Sequence, residues 1–233
     1  MSDEARQDSP GLRMPEGSAR GGEVPVLRTY VYIDGFNLFY NSLHDAPEYR
    51  WLDLGKLARI LLPSNDIHLV RYFTAPIKAR LADPESVSRQ QAYWRALRTI
   101  PDLVRHDGQF QVNRAIRDLV DPPATDPRRV FVWDAKEKGS DVNLATYLLI
   151  DGFLDRYDVA AVISNDSDLA PPVQMVRDVL KKMVGVIIPL PVKEQRAHPE
   201  TESGEEDVAN ARRPSRRLRE AASFVKTIRA DST

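Results

Sequence analysis

The sequence predicts an α/β fold in which a mainly parallel sheet is covered by helices on both faces. The main observation is that β-branched and aromatic runs alternate along the chain with segments of helical periodicity. A second observation is that acids follow two of the apolar runs, at Asp34 and at Asp166. Ligands of open parallel sheets bind beyond the carboxyl ends of the strands, so a site is expected at that edge.

The first part of the chain contains the signals of two strands and three helices. Asp53 is a suitable N-cap for the second helix, and Pro84 suits the first helical position of the third. The expected elements are strands over 29–34 and 67–75 and helices over about 37–43, 54–62 and 84–99.

The second part continues the alternation. Pro171 and Pro172 are tolerated only in the first turn of a helix, which places that helix start close to Asp168. The proline-rich stretch 118–128 is expected to be a loop. The other expected elements are strands over 103–112 (bent at Gly108), 129–133, 158–164 and 184–189, and helices over 140–156, 167–182 and 216–228.

Four segments follow from this pattern. Residues 1–26 have no periodicity and are expected to be a disordered leader. Residues 27–190 form the expected catalytic domain, and 191–213 form a mobile polar loop. Residues 214–233 are expected to contain a helix that docks back on the domain.

The composition restricts the chemistry and the location. The 233 residues include no cysteine, which excludes disulfides, thiolate metal sites and cysteine nucleophiles. The net charge of −1 combines 33 basic and 34 acidic residues, so local patches of both signs are possible. We find no transmembrane run and no signal peptide, and we expect a cytoplasmic protein.

The acids suggest a metal site when they are considered together. Asp34 could be a turn residue, Asp141 lies in the first turn of a helix, and either Asp166 or Asp168 could cap the next helix. All four nevertheless fall at the same edge of the predicted sheet. Carboxylates that share a partly dry cleft repel unless a cation binds, and oxygen ligands favour Mg²⁺ or Mn²⁺.

Three motifs in this order resemble the NYN domain, a branch of the PIN-like nuclease superfamily. They are Tyr32-Ile33-Asp34-Gly35-Phe36-Asn37, Lys138-Gly139-Ser140-Asp141-Val142 and Ser164-Asn165-Asp166-Ser167-Asp168-Leu169. The resemblance covers roughly residues 28–190. It implies a Rossmann-like α/β/α sandwich and metal-dependent hydrolysis of RNA.

The resemblance also implies roles for individual residues. Asp34, Asp141 and Asp166 would be the Mg²⁺ or Mn²⁺ ligands, and Asp168 a further ligand or a residue that orients water. The residues around the substrate would be Asn37, Lys138, Ser164 and Asn165. The family pattern is expected to have one proline where this chain has Pro171-Pro172, which affects the helix start and not the acids.

RNA is the expected partner, so a basic rim should surround the acids. The cations considered are Arg71, Lys78, Arg80, Arg89, Arg95, Arg98, Arg114, Arg117, Arg128, Arg129 and those of 212–219, and most are expected to be ordinary surface charges. Tyr72, Phe73, Tyr93 and Trp94 could stack on bases, although core packing is the stronger expectation. The four histidines show no ligand spacing and are expected to be non-catalytic.

Other interpretations remain open. The chain could be an inactive NYN-type module that binds RNA without cutting it. A phosphatase of the haloacid dehalogenase type is less favoured, because Asp34-Gly35-Phe36 lacks the second acid of an Asp-x-Asp pair. A nucleotide-binding regulator is disfavoured because no glycine-rich phosphate loop occurs. A protein regulator is possible, and the chain could be a monomer or a homodimer.

Overall fold

A computed structural model describes residues 26–78, 83–121, 128–190 and 214–228 of the chain. Eight strands occur in these ranges. They are β1 (Arg28–Asp34), β2 (Asp66–Thr74), β3 (Leu103–Asp107), β4 (Gln109–Asp118), β5 (Arg129–Lys138), β6 (Val159–Ile163), β7 (Met183–Pro189) and β8 (Phe224–Ile228). The α-helices are α1 (Gly35–Leu38), α2 (Leu54–Leu61), α3 (Ser86–Leu97), α4 (Ser140–Phe153), α5 (Ala170–Asp178) and α6 (Arg216–Ala221).

Six strands form one parallel sheet in the order β3-β2-β1-β6-β7-β8. The strand order reverses between β1 and β6, where Ile33 is in register with Ile163. This is the topological switch point, beyond which α/β sheets bind their ligands. The parallel sheet and its helices confirm the predicted α/β fold.

The core has one apolar layer on each face of this sheet. Alternate residues of β1 point to opposite faces. Val31 and Ile33 pack with residues of α2 and α3, whereas Tyr32 packs with residues of α4 and α5. All five residues of β6 are buried, as expected for a central strand that helices cover on both sides.

Strands β4 and β5 form a separate two-stranded antiparallel ribbon, paired from Gln109–Lys138 to Asp118–Arg129. The sequence predicted one bent strand over 103–112, but the chain changes sheet at Gly108. It also ended these strands at residues 112 and 133, whereas β4 continues to Asp118 and β5 continues to Lys138. Pairing between the two strands extends both of them through polar residues that carry no strand signal of their own.

The segment after residue 215 corrects a second expectation. The predicted helix over 216–228 ends at Ala221, and Phe224–Ile228 is an edge strand parallel to β7. Val225 and Thr227 are β-branched, which favours the strand. Helix α3 also starts later than predicted, at Ser86, with Pro84 in the turn before it.

Two of the predicted segments lie largely outside the described residues. These are the leader over 1–26 and the loop over 191–213. The domain boundaries built on them therefore stay predictions. No helix in the described ranges has the length and apolar character needed to cross a membrane.

A buried ion pair links the sheet to α4. The carboxylate of Asp151 is fully buried and accepts hydrogen bonds from Arg71 Nε at 2.7 Å and Nη2 at 3.0 Å. Tyr32 Oη and Arg156 Nη1 donate to the same carboxylate, at 2.8 and 2.9 Å. Arg71 was considered as an RNA-binding cation, but it is buried and serves this internal pair.

His106 extends this network and predicts a pH effect. Its ring stacks on Phe73, and its Nε2 lies 3.0 Å from Arg71 Nη1. Burial and the charge of Arg71 lower the pKa of His106 from 6.5 to about 4, against the opposite effects of Asp151 and Asp107. Stability should therefore fall as the pH drops from about 6.5 toward 4, because the unfolded chain binds a proton that the folded chain resists.

This loss can be measured by urea unfolding near pH 7.5 and near pH 5, for the wild type and for His106→Gln. Glutamine keeps an acceptor for Arg71 but does not titrate. The variant should lose less stability than the wild type between the two pH values. Equal losses in both proteins would show that His106 does not carry the effect.

Candidate active site

Asp34 ends β1 and lies at the switch point of the sheet. It is the N-cap of α1, where its Oδ1 accepts the Asn37 backbone N–H at 3.0 Å. Its Oδ2 accepts a hydrogen bond from Ser164 Oγ, at 2.9 Å, across the β1–β6 boundary. The residue is only 4% exposed, and no described residue forms a salt bridge with it.

Gly35 lets the chain pass close to β2 directly after Asp34. A Cβ at this position would lie 2.6 Å from the Tyr72 ring and 2.7 Å from the Phe73 carbonyl oxygen. Any side chain would therefore displace the start of α1. The Asp-Gly pair, which could have been a simple turn, here holds the acid against the sheet edge.

The loop after β6 is fixed to Asp34 by hydrogen bonds. Ser164 is fully buried, and its Oγ accepts the Asp166 N–H at 3.0 Å while donating to Asp34. Asn37 Oδ1 accepts the Asn165 N–H at 2.7 Å. Asn165 Oδ1 in turn accepts the Ser215 N–H at 2.7 Å, which connects α6 to the same loop. Asn37, Ser164 and Asn165 therefore position the acids.

Asp141 reaches this edge from the N-terminus of α4. Gly139, with φ of 98°, adopts a left-handed conformation that favours glycine and turns the chain from β5 into the helix. Glu137 accepts hydrogen bonds from the Ser140 N–H at 3.1 Å and from Ser140 Oγ at 2.7 Å. Glu137 directly precedes the Lys138–Val142 motif and was given no role from the sequence, and the structure shows that it fixes the helix start beside Asp141.

Burial and neighbouring carboxylates raise the pKa of Asp34 and the pKa of Asp141. Burial raises the pKa of Asp34 from 3.8 to about 7, with further increases from the charges of Asp141 and Asp166. Burial also raises the pKa of Asp141 to about 6, with contributions from Asp166, Glu137 and Asp168. Acids from three separate segments therefore form one region of unfavourable negative charge, which a cation would relieve.

The carboxylates of this site could supply some of the ligands of a hard divalent ion, but not a complete ligand shell. In the described ranges, no three His, Cys, Asp or Glu side chains are arranged to hold a metal ion. Mg²⁺ in phosphate-processing sites is commonly held by one or two carboxylates, with waters and substrate oxygens completing the shell. The acids match that requirement in ligand type and in charge. They do not form a closed protein cage around an ion.

The other predicted residues occupy different positions around these acids. Asp166 caps the short 3₁₀ turn Ser167–Leu169 by accepting the Asp168 N–H at 2.9 Å. Asp168 is exposed, and Lys138 is exposed at the end of β5. Pro171 and Pro172 lie in the first turn of α5, as predicted. Arg80 and Arg212 lie outside the described residues.

The predicted stacking aromatics are mostly structural. Phe73 is fully packed in the core and Tyr72 is buried. Tyr93 is partly buried, with its hydroxyl donating to the Leu52 carbonyl at 2.8 Å. Trp94 is also buried, under the guanidinium of Arg105 at 3.7 Å. Core packing was the stronger expectation for this set.

Comparison with known families identifies the group to which the fold belongs. Residues 28–203 match the NYN domain, which is most of the chain. The chain belongs to the NYN domain family. This family lies within the PIN-like nuclease superfamily, whose members are generally RNA-related nucleases that use divalent metals.

Two similar proteins are informative to different degrees. A curated relative, 6-hydroxy-3-succinoylpyridine 3-monooxygenase HspA of Pseudomonas putida (strain DSM 28022 / S16), is 36% identical over 187 residues. The match covers 70% of this NYN chain and 60% of that relative, so the chain spans well under the relative's full length. A crystal structure of a protein of unknown function from Vibrio parahaemolyticus RIMD 2210633 has a TM-score of 0.52 at 12% identity. It covers 90% of this chain and 98% of its own, and it supports the fold alone.

Proposed function

We propose that this NYN protein is a ribonuclease that hydrolyses RNA phosphodiester bonds with Mg²⁺ or Mn²⁺. The observation that carries the proposal is the convergence of Asp34, Asp141 and Asp166 at the switch point. The three acids come from β1, α4 and the loop after β6. Besides burial, the charges of Asp141 and Asp166 raise the pKa of Asp34, and the charge of Asp166 raises the pKa of Asp141. Family membership supports the same chemistry at a coarser level.

The residues have distinct roles in this proposal. Asp34 and one of Asp141 or Asp166 would hold the ion directly, and the remaining acid would bind it through a water. The bound ion would supply a water of lowered pKa and neutralise phosphate charge. Ser164 donates a hydrogen bond to one Asp34 oxygen and so fixes the orientation of the carboxylate. Glu137 fixes the helix turn that carries Asp141. Asp168 is exposed beside them and is assigned to orienting water.

An RNA cleavage assay with mapped products tests the proposal. Labelled tRNA, rRNA and mRNA fragments are incubated with the wild type in Mn²⁺ and in EDTA. Asp166→Asn retains the oxygen that caps the 3₁₀ turn and removes the charge, so it should fold and not cut. Asp102→Asn is the matched control, because Asp102 is a half-exposed acid at the opposite edge of the sheet.

Cleavage that requires Mn²⁺, survives Asp102→Asn and disappears in Asp166→Asn is the expected result. Tight RNA binding by the wild type with no cleavage in any metal would instead identify an inactive binding module. If Asp166→Asn still cleaved RNA, the acids would have no part in the mechanism.

A second candidate comes from the similarity to the monooxygenase HspA. It is supported by a cavity beside Gly35 whose lining includes the aromatic residues Phe36, Tyr40 and Trp133. Under this alternative the chain would act on a heteroaromatic small molecule. Incubation with 6-hydroxy-3-succinoylpyridine, dioxygen and an electron donor, followed by mass spectrometry, tests it. A pyridine product that carries one oxygen atom derived from labelled dioxygen, formed with loss of the succinoyl group, would favour this candidate over the nuclease.

A further inference from the structure

A large cavity opens directly beside the acidic edge, and we name it the aromatic pocket. Its volume is about 1250 Å³, and its walls include Gly35 and Thr74, which follow β1 and end β2. Its lining is rich in aromatic side chains from α1 and the helical turn after it, from the loop before α2, from α3 and from the β4–β5 ribbon. The principal ones are Phe36, Tyr40, Trp51, Trp94, Phe110 and Trp133.

A row of rings leads from the acid into this pocket. Phe36, Tyr40 and His44 are spaced by four residues on the helical segment that starts at Asp34. The Phe36 and Tyr40 rings are nearly parallel, with centroids 6.4 Å apart, and His44 follows Tyr40 at 6.0 Å. The helix from Phe39 to Leu43 has π geometry, which is frequent at functional sites.

Several of these rings are unusually accessible. Tyr40 is 54% exposed, Trp51 is 57% exposed and Trp133 is 76% exposed, although all three are large apolar side chains. Phe110, at the base of the ribbon, meets Phe36 edge-on with ring centroids 5.5 Å apart. The ribbon therefore forms one wall of the pocket and leaves ring faces open to a ligand.

Charge and size indicate an extended anionic ligand. The two acids of the lining, Asp83 and Asp134, both form salt bridges with basic side chains. Arg50 and Lys78 also line the pocket, and neither forms an ion pair with an acid within the described part of the chain. The volume exceeds the roughly 300–1,000 Å³ typical of small-molecule sites. Several flat rings joined by negative charges fit these features better than one small heterocycle does.

We propose that the aromatic pocket binds unpaired bases of single-stranded RNA while an adjoining phosphate lies at Asp34, Asp141 and Asp166. The proposal rests on the proposed ribonuclease function and specifies its substrate as unpaired RNA. Stacking on aromatic side chains is a general mode of binding single strands, and it does not depend on sequence. Duplex RNA keeps its bases stacked on one another and cannot enter.

Binding of labelled oligonucleotides by fluorescence anisotropy tests the pocket separately from cleavage. The probes are a short oligouridylate, an abasic oligomer with the same number of phosphates, and a duplex RNA. Tyr40→Ala and Trp133→Ala remove exposed rings, and both are compared in the Asp166→Asn background. Phe153→Ala is the matched control, since Phe153 is 77% exposed at the far end of α4.

We expect Tyr40→Ala and Trp133→Ala each to weaken oligouridylate binding about fivefold or more, and to leave binding of the abasic oligomer unchanged. Tyr40→Phe should restore binding, and Phe153→Ala should have no effect. Equal binding of the oligouridylate by Tyr40→Ala, Trp133→Ala and wild type would overturn the proposal. The proposal would also be overturned if 6-hydroxy-3-succinoylpyridine saturated the pocket and RNA did not compete with it.

The two proposals fail in different ways. If the wild type cuts RNA but the ring variants bind it normally, the pocket proposal fails and the nuclease proposal stands. If no RNA is cut but oligouridylate binding depends on Tyr40, the pocket is supported and the nuclease proposal fails.

Discussion

Replacing Asp34 with asparagine is expected to abolish RNA cleavage and at the same time to stabilise the protein. The loss of cleavage should be about 100-fold or more, because the variant lacks a charged metal-binding oxygen at the centre of the site. Asparagine keeps an oxygen for the Asn37 N–H and offers an amide to the Ser164 hydroxyl oxygen. The local structure should therefore survive.

The gain in stability follows from the ionisation of Asp34. Its pKa is about 7 in the folded chain, raised by burial from 3.8, so folding favours the protonated acid. Protonated Asp34 contributes to the free energy of unfolding, and this contribution is lost as the pH rises from about 4 through about 7. At about pH 8 the variant should gain on the order of 2–4 kcal/mol in free energy of unfolding, and near pH 4 almost nothing.

Urea unfolding in EDTA at both pH values measures this difference. Mn²⁺ should stabilise the wild type at the higher pH and have little effect on Asp34→Asn. An Asp34→Asn protein that is less stable than the wild type at about pH 8 would contradict this prediction. It would show that the carboxylate is well accommodated without a cation.

Replacing Asp151 with asparagine is expected to have the largest destabilising effect. The carboxylate is fully buried between β1, β2 and α4, and it receives two hydrogen bonds from Arg71. Removing one partner leaves the other charge buried and unpaired, which costs about 3–5 kcal/mol. The free energy of unfolding, measured with urea at neutral pH, should fall by that amount.

The matched control is Asp102→Asn. Asp102 pairs with Arg59 at 3.1 Å, but both side chains are about half exposed. Such surface pairs contribute about 0–1 kcal/mol, so the control should change little. Similar losses in Asp102→Asn and Asp151→Asn would show that burial does not set the strength of the Asp151 network.

The sequence was sufficient to predict the sheet because its central strands have strong local signals. The run that ends at Asp34 and the run before Ser164 are apolar, short and followed by turn residues. Parallel strands that alternate with helices have few possible arrangements, so the meeting of these two ends could be anticipated. The placement of Asp34 beside the loop that carries Asp166 follows from that arrangement.

Features that depend on tertiary contacts could not be predicted in the same way. The ribbon has no strong apolar alternation, and its β5 strand ends in charged residues that look like loop. The edge strand Phe224–Ile228 has apolar spacing that also fits a helix, and only pairing with β7 decides between them. Asp151 looked like an ordinary helix residue, because its partner Arg71 is 80 residues away.

The supporting residues of the site show the same limit. The position of Ser164 and Asn37 around the substrate stays a prediction. Their hydrogen bonds, which hold the acids and the β6 loop in place, were not predicted. Hydrogen bonds between residues about 130 apart, such as that from Ser164 to Asp34, leave no local pattern in the sequence. The aromatic pocket was missed for a related reason, since its walls come from α1, α3 and the ribbon.

The most direct test of the central claim is an anomalous difference map from crystals soaked in Mn²⁺. The account predicts a peak at the switch point, about 2.0–2.2 Å from a carboxylate oxygen of Asp34 and from one of Asp141 or Asp166. The peak should be absent from Asp34→Asn crystals treated in the same way. A map with no peak at these three acids in the wild type, at saturating Mn²⁺, would contradict the account.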